Sequence, residues 1–552
     1  MKHLYSFLLS ALVCLSLSAQ NKVSGDSLAA DFHYLVKQLE AAHPDPYTGF
    51  GGKVFFHKQA FNLENELRSQ PHTLQEFWDK SMAFLSFIQD GHTYLFSLAS
   101  KQQQKQSYLP VGFRCIPDGL IVQSLPAAHQ DLLGSLLVGI NGKSMDELLA
   151  RTASLFACEN LYNRYSVFCR NVVRRQFMQQ LLPDLEDTVC FYLRTPDGKD
   201  VTLEQHFMEN EELRKAEKVN LPSWVGCPEE QMAYRFIDKK KEVMMFKVNS
   251  IMARDNFEYM YKHMKGDLLR QMEFYYQNAL KKEMPADTLQ AIRALPSFSG
   301  TFAAMLKEMK KHHSEYLIID LRGNSGGWTP IVLASLYQLY GDKYLQKDMD
   351  TEYYRIVSPL YMNKLEITLE EFNRRYGTDY SFGDYTFSMK EQEDIPLDTL
   401  RRQFIDGCMS SVKEELRAQK GAPVYAPKQV FVVTDERTFS AAFHYAFMLW
   451  KMGATVVGVP SGQAPNTFME QTLFKLPYTG IEGSISNSVQ IFLPGKDKRA
   501  KTFWPDVMLT YDEYKQTGFD KQAEILFLLN KIGQEKYEFL KKGTCYGCLF
   551  LL

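Results

Sequence analysis

The chain has 552 residues, 63 basic against 65 acidic side chains and a formal net charge of −2. That length exceeds one ordinary domain, and the near-neutral balance excludes the basic footprint of a nucleic-acid binder. No polybasic stretch suits a membrane surface, and no apolar run after the first twenty residues is long enough to span a bilayer.

The chain opens with MKHLYSFLLSALVCLSLSAQ. A short positive start, an apolar run from Leu4 to Leu17 and small residues up to Ala19 predict a signal peptide over 1–19. The mature protein is then exported, to the periplasm or the outside, with no stable membrane insertion. From 20 to 100 the apolar residues recur at three and four, which predicts an N-terminal helical domain. Pro44 and Pro46 end its first helix, and Gly91 in DGHTYL is the expected stop of a later one.

Residues 105–207 alternate apolar and polar around PDG and a second Asp-Gly pair, Asp197-Gly198, which predicts a compact β-rich unit interrupted by helices. From 228 to 515 apolar strands alternate with amphipathic helices: EVMMFKVNSI, GTFAAMLKEMKKHH, EYLIIDLRGNSGG, QVFVVT and GATVVGVPSG. Continuous apolar strands alternating with helices predict a mainly parallel α/β core. Within it, 341–424 is polar, tyrosine-rich and only partly periodic, and reads as an inserted cap or lid. Residues 516–552 form a helical tail ending in CYGC, a lone C-x-x-C with no second pair to build a zinc site.

Two loops stand at strand carboxyl ends, where α/β units gather their chemistry. DLRGNSGG, Asp320 to Gly327, matches neither the phosphate-loop nor the dinucleotide pattern. Its glycines let backbone approach closely, and a pair of amides there suits an oxyanion. TDERTFSAA, Thr434 to Ala442, puts Ser440 where a helix begins. A serine there is a favoured helix cap. It is also where the amide of Ala441 and the helix dipole favour negative charge, so Ser440 is a candidate nucleophile if a base reaches it. His444 lies one turn along the same helix. His92, in DGHT, is far away in sequence but the fold can deliver it. Asp320 and Arg322 read as ties within the glycine turn, and His43 in HPDPY as a residue shaping a helix terminus. His312-His313 lack a spaced carboxylate partner, and no metal or organic cofactor is expected.

IQDGHTYL, YLIIDLRGNSGG and TFSAAF followed by GATVVGVPSG occur in that order. Together they resemble the tail-specific, or carboxyl-terminal processing, serine peptidases and their tricorn-like relatives. The resemblance implies a crotonase/Clp-like α/β spiral core and a PDZ-like module within 105–207. It implies Ser440 as nucleophile, His92 as general base, and Gly326 or Gly327 with the amide of Ala441 as oxyanion hole. Glu470 is the expected acid behind the base, with Glu482 as its rival. Members with a serine–lysine dyad carry the lysine near Asn466, so this chain departs from that pattern. The resulting expectation is an exported serine endopeptidase acting on peptides or proteins. The alternatives are a non-catalytic binder on the same scaffold and an ester hydrolase.

Overall fold

The computed structural model describes residues 22–98, 106–349, 351–387, 395–409 and 412–536. The expected signal peptide and the CYGC pair lie outside the described residues. Three helices open the chain: α1 (Gly25–Ala42), α2 (Lys53–Ser69) and α3 (Leu74–Ser86). Ser24 caps α1 by accepting the amide of Ser27, and Thr73 and Glu76 form a capping box on α3. Leu28, Phe32, Leu35 and Leu39 line one face of α1 and are fully buried. They pack with Phe56 of α2 and with Phe77 and Phe84 of α3. The expected stop at Gly91 is corrected: α3 ends at Ser86, and Gln89, at φ 57°, turns the chain before that glycine. The strand β1 (Tyr94–Leu95) follows.

The next unit carries β2 (Gly112–Ile116), β3 (Gly119–Pro126), β4 (Leu136–Ile140), α4 (Met145–Leu155), α5 (Leu161–Asn171), α6 (Arg175–Leu181), β5 (Thr188–Arg194) and β6 (Asp200–His206). Its strands belong to a seven-stranded antiparallel sheet. Leu120, Val122 and Phe191 of the sheet meet Leu148, Phe168 and Phe177 of the helices in one core.

The central unit holds β7 (Met232–Phe236), β8 (Val243–Val248), α7 (Phe298–His312), β9 (Tyr316–Asp320), α8 (Pro330–Tyr340), β10 (Glu352–Ile356), β11 (Tyr385–Phe387), β12 (Gln429–Thr434), α9 (Ala441–Lys451), β13 (Thr455–Gly458), β14 (Thr467–Lys475), β15 (Glu482–Ile491) and α10 (Ala523–Lys536). One sheet runs β7-β8-β9-β12-β13 and is parallel except for β7. Leu317, Ile319, Val430 and Val432 face α7, α8 and α9. Tyr316, Ile318, Phe431 and Val433 face Ile116 and Ile121 of the β-rich unit and Ile525 and Leu528 of α10. Both faces are covered, which is why these strands read as unbroken apolar runs. Each large side chain so buried contributes about 2 kcal/mol.

A second sheet runs β11-β10-β15-β14, with β1 added to β15. The stretch read as a lid is therefore woven into the fold: Tyr354 pairs with Val489 and Arg355 with Ser488. Its strands span only three and five residues, too few for alternation to stand out. The β14–β15 hairpin also carries the N-terminal helices. Asp31 of α1, fully buried, accepts the amides of Tyr478 and Thr479 at 2.8 Å each.

Candidate active site

β9 and β12 are parallel neighbours, with Asp320 opposite Val433, so their carboxyl-end loops lie side by side. Cross-links hold the two loops together. The amide of Gly323 donates to Asp435 at 2.8 Å, that of Phe439 to the Asn324 carbonyl at 3.0 Å, and the Thr438 hydroxyl to the Leu321 carbonyl at 3.1 Å. Asp320 and Arg322 form a two-bonded pair, and Arg322 continues to Glu524 at 2.7 Å. The glycine turn is thus anchored to α10.

Ser440 stands immediately before α9 with φ 51° and ψ −128°, a left-handed conformation that costs a non-glycine residue of order 1–3 kcal/mol. Its side chain makes no capping bond to the helix. A serine held in strain at a strand-to-helix turn, with its hydroxyl uncommitted, is how nucleophile elbows expose their oxygen. The backbone amide of Ser440 is itself fixed, donating to Oε1 of Gln463.

Gly326 and Gly327 are required by space. A Cβ on Gly326 would lie 2.6 Å from the Cβ of Ser440 and 2.9 Å from the amide nitrogen of Ala441. One on Gly327 would lie 2.2 Å from the carbonyl oxygen of Ile251. The two amides differ in availability. That of Gly326 donates to Oδ1 of Asn324 at 2.9 Å. Those of Gly327 and Ala441 find no acceptor among the described residues.

His92 lies within a turn closed by the amide of Thr93 on the Asp90 carbonyl. Its backbone is held at three points. Its amide donates to Asp90 at 2.9 Å, its carbonyl accepts the Ser484 hydroxyl at 2.8 Å, and Tyr94 pairs with Ser484 just beyond. The imidazole is 6% exposed and lies against the ring of Phe439, centroids 4.9 Å apart, beside Ser440 in the chain. Neither ring nitrogen is hydrogen-bonded, so imidazole and Ser440 hydroxyl are not bonded to each other in this arrangement. Burial lowers the imidazole pKa, and the Asp90 carboxylate, the Phe468 backbone carbonyl and the Glu470 carboxylate pull it partly back.

The carboxyls nearest to that ring come from elsewhere than expected. Nδ1 of His92 lies 3.8 Å from Asp90 and 3.9 Å from Glu159. Asp90 is wholly buried, yet His43, 3.3 Å away, draws its carboxyl down to about 2 against the opposing effect of burial. Glu159 sits between α4 and α5 of the β-rich unit and accepts the amides of Ala464 at 2.9 Å and Gly91 at 3.3 Å. Burial, and next the charge of Asp90, push its carboxyl up to about 8. The donor atoms of Asp90, His92 and Glu159 all fall within 4.8 Å of one another. Asp90 is committed to His43, Thr93 and the His92 amide, and Glu159 keeps its proton near neutral pH. The trio has the chemistry of a proton network more than that of a cation cage.

Glu470 turns in the middle of β14 at φ 66° and binds Lys364 at 2.9 Å, with Arg355 at 3.8 Å. Lys364 and Arg355 lower its carboxyl to about 2 although burial opposes them. Glu482 is exposed at the hairpin end, opposite Lys475. Asn466 is a strut, its side chain bonded to the backbone of Phe492 and Leu493. His444 faces inward, bonded to Thr329 and Gln490 at 2.8 Å each.

Residues 291–482 match the model of peptidase family S41. Over those residues the chain is similar to the S41 peptidases. That places it among the serine-type peptidases, and the matched residues include Gly326, Gly327, Ser440, Ala441 and Glu470 but not His92. Among solved structures the chain is similar to mature CPAF, with 14% identity, 92% of this chain and 98% of that one covered, and a TM-score of 0.54. The same protein complexed with lactacystin gives 14%, 93%, 99% and 0.53. The photosystem II D1 C-terminal processing protease gives 11%, 88%, 94% and 0.38. At these identities the CPAF likeness speaks for the fold alone. No curated protein matches the chain by sequence.

Proposed function

We propose that this S41 chain is an exported serine endopeptidase that cleaves peptide bonds by acyl transfer at Ser440. The observation that carries the reading is the strained, uncapped Ser440 between two unengaged amides, those of Ala441 and Gly327. His92 takes the hydroxyl proton as the oxygen attacks the scissile carbonyl. The developing oxyanion rests on the amides of Ala441 and Gly327, each such donor being worth about 3 kcal/mol. Gly326 contributes space rather than a donor, because Asn324 holds its amide. His92 then protonates the leaving amine, and water repeats the sequence to release the acyl group.

Asp90, ionised and 3.8 Å from Nδ1 of His92, is the acid best placed to stabilise the imidazolium. Glu470 adds negative charge at longer range. The imidazole must swing from Phe439 to the hydroxyl when substrate arrives, a tightening common to active sites seen without substrate. The β-rich unit presents the substrate as a PDZ-like module, and residues 1–19 direct export. No described helix is long and apolar enough to cross a membrane.

A fluorophosphonate probe tests the reading: it labels wild type at Ser440, mapped by peptide mass, and leaves Ser440→Ala unlabelled. Wild type that stays unlabelled and cleaves no peptide would return the chain to the binder reading. Lactacystin, bound by CPAF, is a second probe for an acylated Ser440.

A further inference from the structure

A cleft of about 910 Å³ runs between α3 on one side and α5 and α6 on the other. Its inner end is formed by Gly91 and Thr93, which flank His92, by Ser325, which precedes Gly326, and by Phe439, which precedes Ser440. A peptide lying in it would pass the residues next to every part of the site.

The cleft also carries unpaired positive charge. Arg170 from the end of α5, Arg174 from the turn before α6, and Arg437 from the nucleophile loop all line it. None of the three forms an ion pair among the described residues. The fourth lining arginine, Arg175, is already paired with Asp187. Arg170 and Arg437 are close enough for the charge of one to disfavour that of the other. The acids nearby do not neutralise them. Asp435 is occupied by the amides of Gly323 and Arg437 and by the Thr438 hydroxyl. Glu436 is buried, and burial with the Asp435 charge pushes its carboxyl up to about 8, so it is largely uncharged at neutral pH. Of the remaining lining acids, Glu76 and Asp79 lie on α3, the first in a capping box and the second bonded to Gln75, and Asp90 is ionised but held by His43, Thr93 and the His92 amide. Two mutually repelling guanidinium groups facing a cleft favour an anion between them, and their planar forks match a carboxylate.

We propose that this cleft selects acidic peptides, seating an Asp or Glu side chain of the substrate on Arg170 and Arg437, with Arg174 as an outer contact. The assignment rests on the peptidase reading for its substrate class, but the binding step can be measured without turnover. Full-length Ser440→Ala would be titrated with short fluorescein-labelled, C-terminally amidated peptides that differ only in Glu versus Gln. The Glu peptide should bind about tenfold tighter, the worth of one charge-assisted hydrogen-bonded pair. Adding Arg170→Gln and Arg437→Gln should erase that preference while leaving the Gln peptide unaffected. Unchanged melting temperatures would show that the fold survives, and Arg170→Lys should keep part of the preference through charge alone.

Equal binding of both peptides, or a preference that survives the double substitution, would overturn the proposal. So would a preference that appears only when a terminal carboxylate is left free. Fluorophosphonate labelling of wild type separates the two readings. Labelling without acidic preference sinks only this inference, whereas acidic preference without labelling sinks only the peptidase.

Discussion

The nucleophile loop and the histidine loop are built to different standards. At Ser440 the backbone is locked from several sides: its amide is bonded to Gln463, Gly326 fills the space beneath its Cβ, and Phe439 is tied to Asn324, while the amides of Ala441 and Gly327 stay open. At His92 only the backbone is fixed, and both ring nitrogens are unbonded. A strained residue persists only where its surroundings over-determine it. On the proposed mechanism the rigid half would hold the attacking oxygen and the oxyanion amides, and the base would be the part that moves.

The sharpest way to break the comparison is to remove its chemistry. Ser440→Ala should lower kcat by a factor on the order of 10⁵–10⁶, as loss of the nucleophile does in subtilisin. The fold should be untouched, because alanine has the same backbone needs and the hydroxyl caps nothing. Turnover within a factor of ten of wild type would mean that another group attacks.

Gly326→Ala tests the rigid half by sterics alone. The new methyl would meet the Cβ of Ser440 at 2.6 Å, and alanine would be held at φ 106°. Displacing Ser440 and the Ala441 amide should cost on the order of 10²–10³ in kcat, comparable to losing one oxyanion donor. Melting temperature should fall too, since a positive φ strains any residue with a Cβ. A variant that melts lower but keeps full kcat would show that the glycine serves only the fold.

Asp90→Asn tests the mobile half. The wild-type imidazole must be neutral to act as base, and burial sets its pKa below the ordinary 6.5. Activity should therefore persist below pH 6.5 and fall only at lower pH. Removing the Asp90 charge should cut kcat about 100-fold, a typical contribution of an oriented acid–base group. It should also move the acidic limb further down in pH, because that charge holds the imidazole pKa up. A limb that stays in place would transfer the role to Glu470.

The parts of the site legible in the sequence are those set by local geometry. A strand, a glycine turn and a serine at a helix start each leave a pattern within ten residues, and they pointed to Ser440, Ala441 and the glycine pair as candidates. What could not be read is what the fold imports. Glu159 sits in CENLYN with no motif around it, and reaches His92 only because the β-rich unit packs against the core. His43 drew notice for its flanking prolines, but its partner Asp90 is 47 positions away. The occupation of the Gly326 amide by Asn324 depends on a side-chain rotamer. The stretch 341–424 hid two short strands, β11 paired with β10 and β10 paired with β15 more than a hundred residues downstream. The parallel core was readable because both faces of its sheet are apolar.

The mildest test concerns stability. Glu159 has its carboxyl raised from 4.5 to about 8 by burial and by Asp90. A group whose folded pKa lies above its unfolded value contributes stability that is full below the unfolded pKa and lost as pH rises through the folded one. The wild type should therefore lose stability between pH 4.5 and about 8 on this account. Glutamine copies the protonated carboxyl in size and keeps an oxygen for the Ala464 amide, at the loss of the longer bond from Gly91 to the other oxygen. Glu159→Gln should then melt slightly below wild type at low pH and gain on it as pH rises through the folded pKa, the difference changing through that window in thermal melts taken at stepped pH. Parallel melting curves across the whole range would mean that Glu159 is ionised in the folded protein, and that His92 sits between two negative carboxylates rather than one.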